Sequence, residues 1–139
     1  MSGGGKYVSV AKGGNLKQSG GQTDGMVRMN AITGMSDQLC GTVMIAKPHS
    51  SSAVHHHGIE DTIVYAVKGH GTIVSDQGKT RQVLAPGDFA LIPAFTLHQE
   101  VNDGDEEVVW TIVRGGREPV VKNLDGWNQE VRRKSDSKH

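Results

Sequence analysis

The sequence predicts an all-β protein, a small barrel or jelly roll, and three observations carry that expectation. Short β-branched and aromatic segments recur through the middle of the chain, turn signals separate them at close intervals, and no segment sustains an apolar period of 3.6 residues. A closed barrel or jelly roll also limits the exposed strand edges that so many short strands would otherwise leave. The chain has 139 residues, 35% of them apolar and 19 of them glycine. That length suits one domain able to bury roughly two thirds of its extended-chain surface. The glycine content favours short strands and tight turns over packed helices.

Taken in order, residues 1–25 are rich in Gly, Ser, Lys and Gln and read as a mobile arm, with Tyr7, Val8 and Val10 as its apolar content and room for one short strand that pairs late or with another subunit. The barrel is expected over 26–114. Its strands are read at 26–32, 41–46, 62–67, 71–74, 82–84, 89–92 and 108–113. The separating turns are Asp76-Gln77-Gly78-Lys79, Pro86-Gly87-Asp88 and Asn102-Asp103-Gly104-Asp105. Residues 115–139 form a C-terminal extension with a weak helical turn near 127–132 and a frayed polar end. Arg114-Gly115-Gly116-Arg117 reads as a flexible exit from the barrel.

Fifteen basic and fifteen acidic residues cancel, and no basic face carries interleaved aromatics, so nucleic acid is not an expected partner. The longest apolar runs are about five residues, well short of the ~20 that cross a bilayer, so no membrane partner is expected. No basic stretch followed by an apolar run marks a secretory signal. Cys40 is the single cysteine and cannot form an internal disulfide, which fits a reducing, cytoplasmic setting.

Three consecutive histidines, His55, His56 and His57, are the chemical feature of the chain. Side chains on a strand alternate faces, so His55 and His57 share one face while His56 points away. Two imidazoles so placed can meet one metal ion, and His98 is the candidate for a third ligand. Imidazole suits Fe, Zn, Ni or Cu, and three such ligands leave open positions for substrate or water. An isolated histidine is more often structural than ligating, and spacing alone leaves both readings open.

Two longer patterns carry a resemblance. The segment from His55-His56-His57 through Glu60-Asp61-Thr62 to Gly69 is similar to the first cupin motif: His-x-His, then a carboxylate, then a glycine. The segment Gly87 … Pro93 … His98 … Asn102 is similar to the second. The resemblance covers roughly residues 26–114. It implies a double-stranded β-helix with one divalent metal ion inside the barrel on His55, His57 and His98. Fe(II) is favoured for that ion, with Zn, Mn or Ni as alternatives.

Departures from the motifs qualify this. The leading glycine of the first motif falls at His49 and the inner glycine of the second at Phe95. Thr62 stands where the family usually has its glutamate ligand. A site of three histidines without carboxylate is therefore expected, with Glu60 or Asp61 as a replacement that would have to swing in. Thr62, Val64, Cys40, Phe95 and Trp110 are the candidate pocket-lining residues. Glu60, Asp61, His49 and Tyr65 are weak candidates for a catalytic acid or base.

The resemblance implies a metal-dependent enzyme, first a non-haem iron dioxygenase of a small chelating organic substrate. A lyase, isomerase or decarboxylase with the metal as Lewis acid is the second reading, and a binding module without turnover the third. A small-molecule substrate and a homodimer joined through a sheet face complete the expectation.

Overall fold

The computed structural model describes residues 7–19 and 24–128. After a single 3₁₀ turn at Gly13–Asn15, its strands are β1 (Lys17–Gln18), β2 (Met26–Ile32), β3 (Leu39–Ala46), β4 (Ser50–Ser51), β5 (His55–His56) and β6 (Thr62–Lys68). They continue as β7 (Gly71–Ser75), β8 (Thr80–Leu84), β9 (Phe89–Ile92), β10 (His98–Asn102), β11 (Val108–Gly115) and β12 (Lys122–Asn123). One sheet runs β1-β2-β3-β11-β6-β9 and the other β12-β5-β10-β7-β8, with β4 also paired to β10. Every strand pairing is antiparallel. The all-β jelly roll expected from the sequence is the fold observed.

Alternation sets the two faces of each sheet. In β3 the buried residues are Cys40, Thr42, Met44 and Ala46, and in β11 they are Val108, Trp110, Ile112 and Arg114. Met26, Met44, Val64, Ile73, Val108 and Trp110 belong to one apolar cluster between the sheets. Trp110 packs so closely over Gly71 that a Cβ there would lie 2.6 Å from its ring. Gly69 turns the chain with φ +75, and a Cβ on it would meet the Glu107 carbonyl oxygen at 2.5 Å. The apolar core thus occupies one end of the barrel, and the opposite end carries polar inward residues.

The first 25 residues include the 3₁₀ turn and β1, a short strand that adds to the edge of β2 within the same chain. Other expectations need adjustment. The C-terminal extension contributes β12, paired with His55 and His56. Gly115 belongs to β11, and Arg114 is inward and buried, so the strand takes in the first two residues of the expected flexible exit, while Gly116 and Arg117 lie in a bend beyond it. The helical turn expected near 127–132 lies largely outside the described residues, with Trp127 and Asn128 in a turn. No helix among the described residues is long and apolar enough to cross a membrane.

Candidate metal centre

Four side chains converge inside the polar end of the barrel: His55 from β5, His57 just beyond it, and His98 and Glu100 from β10. All four are buried, and their ligand atoms lie within 4.8 Å of one another. The pairing of His98 with His55 across β10 and β5 brings the ring centroids to 4.2 Å. His57 lies 4.8 Å from His98 and 5.2 Å from His55, centroid to centroid.

The tautomers follow from the partners of each Nδ1. His55 Nδ1 lies 2.8 Å from the Ala53 carbonyl oxygen and His98 Nδ1 lies 2.9 Å from that of Thr96. A carbonyl oxygen only accepts, so both Nδ1 atoms carry a proton, and a neutral ring then presents its Nε2 lone pair. His57 Nδ1 bonds Thr62 Oγ1 at 2.7 Å. All three Nε2 atoms are buried without a hydrogen-bond partner.

Glu100 turns this into a site for a cation. Its Oε2 stands 2.9 Å from His55 Nε2 and 3.2 Å from His98 Nε2. A carboxylate oxygen facing two imidazole lone pairs is repulsive unless a positive charge sits among them. Neighbouring ligands on one octahedral ion with bonds near 2.1 Å stand about 3 Å apart, so the observed spacings fit a shared divalent ion. The other oxygen, Oε1, accepts from Arg28 Nη2 at 2.5 Å, which fixes the rotation of the carboxylate. Burial pushes the Glu100 pKa up, but the electrostatic pull of His55 and Arg28 and the contacts with the His55 and His98 rings outweigh it and hold the group well below the ordinary carboxylate range. Burial, followed by Arg114 and His98, pushes the His57 pKa down to about 2, so this ring is a neutral donor.

The structure therefore brings together His55, His57 and His98 and adds Glu100, which the sequence reading passed over. Its signal was present. Glu100 follows His98 by two strand positions, as His57 follows His55, and so shares its face. Neither Glu60 nor Asp61 takes the place of the missing glutamate. The Glu60 carboxylate lies against Gly115 and Gly116, and Asp61 accepts from the Ala94 amide at 2.9 Å. Thr62 occupies the usual glutamate position and orients His57 instead.

The remaining candidates are dispersed. His49 is exposed beside Asp105 at 2.8 Å, and Tyr65 lies on the outer face of its sheet against Phe89. Val64 and Trp110 belong to the apolar cluster, and Phe95 lies near His56, whose ring points away from the other histidines. Cys40 is buried opposite Arg114, its thiol pKa pushed up by burial against a lowering pull from Arg114. A cavity of about 420 Å³ lies between the β8 and β9 edges. Its lining includes Leu84, Ile92, Thr96 and His98, and none of the five residues expected to line a pocket.

Comparisons with known proteins agree with this fold. A family model described as "Cupin domain" matches residues 42–114. A gentisate 1,2-dioxygenase of Aquipseudomonas alcaligenes is 24% identical over 82 residues, covering 59% of this chain but only 23% of that protein. The chain thus spans less than a quarter of the length of this curated relative. The polyketide cyclase RemF of Streptomyces resistomycificus superposes with TM-score 0.72 at 17% identity, covering 88% of this chain and 89% of that one. KdgF of a Halomonas species gives 0.68 at 19% identity, covering 81% and 96%. With the family match spanning more than half of its residues, both motifs in sequence order and a four-residue His/Glu group inside the jelly roll, the chain belongs to the cupin family.

Proposed function

We propose that this cupin is a metal-dependent enzyme acting on a small chelating organic substrate, with a non-haem iron dioxygenase as the leading reading. The observation that carries the metal is the convergence of three buried histidine nitrogens and a Glu100 oxygen within 4.8 Å of one another, with Oε2 2.9 Å from His55 Nε2 and 3.2 Å from His98 Nε2. His55, His57, His98 and Glu100 would hold one divalent ion, Fe(II) first among Zn, Mn and Ni. A bound ion supplies Lewis acidity and, for iron, access to dioxygen. The protein's own part is orientation and exclusion of water. The carbonyls of Ala53 and Thr96 and the hydroxyl of Thr62 aim the imidazoles, and Arg28 aims the carboxylate. The limited match to a gentisate dioxygenase supports the oxidative reading.

Glu100 also favours a second reading. A fourth protein ligand would leave a bound ion less room for substrate and dioxygen together, which suits Lewis-acid lyase or isomerase chemistry on the substrate alone. Oxygen consumption by iron-reconstituted protein across a panel of hydroxy acids, diketones and hydroxylated aromatics tests the first. Turnover of the same panel without oxygen by the zinc or manganese form would move the assignment to the second.

The proposed partner besides substrate is a second copy of the chain, in a reducing compartment where Cys40 stays a thiol. Val113, Ile63 and Leu91 stand side by side across β11, β6 and β9 on the outer sheet face, with Thr111, Tyr65 and Phe89 in the next row. The five apolar members are all exposed, and neither row contains a charge. Such a face can be buried against its own copy without stranding an unpaired charge.

A further inference from the structure

We propose that Arg114 is the anchor for a substrate carboxylate, which makes the substrate of this site a small organic acid. Arg114 lies on the inner face of the central strand β11 and is only 3% exposed. Its cross-strand neighbours are Cys40 on β3 and Thr62 on β6, and Thr62 is the residue that holds His57. The guanidinium therefore stands on the wall beside the histidine cluster. Its Nε and Nη1 are buried and have no hydrogen-bond partner among the described residues. A guanidinium keeps its charge at any physiological pH and presents its donors as a planar fork suited to a carboxylate.

Among the described residues the Glu100 charge reaches Arg114 electrostatically, but no ion pair joins the two. Glu100 is the one buried carboxylate among the described residues. One of its oxygens is taken by Arg28 and the other faces the histidines. Cys40, across the strand, is a buried thiol with its pKa raised, and it offers no countercharge. Arg28 and Arg114 together exceed Glu100 by one positive charge, and a divalent ion would widen the excess. Leaving a buried cation with unsatisfied donors is costly, so the geometry calls for an anion that both the metal and the fork can share. A carboxylate with a second ligating group, as in hydroxy acids, dicarboxylates or hydroxybenzoates, meets both. This choice of substrate class rests on the metal-site reading above; the unsatisfied guanidinium does not.

The test separates the two. The Nε–H resonance of Arg114, assigned with an Arg114→Lys variant, is followed while glycolate, oxalate or salicylate is added to the metal-free and the metal-loaded protein. The expected result is a saturable shift in both forms, tighter in the loaded one. In the loaded form Arg114→Gln should weaken carboxylate binding roughly 10- to 100-fold. Metal stoichiometry should stay unchanged and thermal stability should not fall, since a structural guanidinium would instead cost stability on removal. A resonance that ignores all three acids in both forms, or undiminished affinity in Arg114→Gln, overturns the anchor while leaving the metal site standing. A shift in protein that takes up no metal keeps the anchor and removes the enzyme reading instead.

Discussion

Thr62 and Glu100 exchange roles that one residue usually combines with position. Thr62 sits at the motif's carboxylate position but serves as the partner that fixes the His57 ring, while the carboxylate arrives from β10. Removing the hydroxyl while keeping the shape, as Thr62→Val, should lower metal affinity about 10- to 100-fold at unchanged ligand number, measured by competition with a chromophoric chelator. His57 predicts a pH dependence as well. Its folded pKa near 2 lies below its ordinary value of 6.5, so as the pH falls the unfolded chain takes up this proton first. Stability of the metal-free protein should be complete above pH 6.5 and decline below it, by about 1.4 kcal/mol per pH unit for this group alone. Glu100, also held low, adds a loss of the same sign once the pH passes below the ordinary carboxylate range. Urea unfolding at pH 7.5 and 5.5 checks the direction, and equal midpoints would contradict it.

At the scale of elements, legibility followed the inward side chains. The strand 26–32 was read with its observed bounds, as was 89–92, because their apolar or β-branched residues alternate or cluster. β10 is absent from the strands that the sequence predicts. Its inward residues are His98, Glu100 and Asn102, so the alternation that marks a strand is inverted where the site replaces the core. Glu100 was overlooked for that reason, and Arg114 likewise, as a charge beside two glycines. Two motif departures kept the backbone of the glycines they replaced: His49 has φ 57 and Phe95 has φ 61, both left-handed. Phe95 also ties its loop to the His57 turn through a 2.8 Å bond to the Gly58 carbonyl. The Gly71 contact gives a sharp test of packing. Gly71→Ala should destabilise by about 1–3 kcal/mol, read from denaturant midpoints, because the added methyl must displace Trp110. A neutral result would show that the indole has room to move.

At the scale of the whole molecule, the two sheets divide labour. Between them, one end of the barrel is apolar and the other holds the histidines, while the sheet containing β11 turns an apolar face outward. If that face joins two copies, Phe89→Lys with Ile63→Lys should shift sedimentation from dimer to monomer and leave metal content intact. A monomeric wild type would remove the proposed partner.

The central claim is that His55, His57, His98 and Glu100 hold one divalent ion, and metal content of the untagged protein tests it most directly. Elemental analysis of the wild type, His98→Ala and Glu100→Gln should give near-stoichiometric metal in the first, none in the second and a reduced fraction in the third. Protein that stays free of metal after reconstitution with iron, zinc, manganese and nickel would contradict it, as would metal retained in full by His98→Ala.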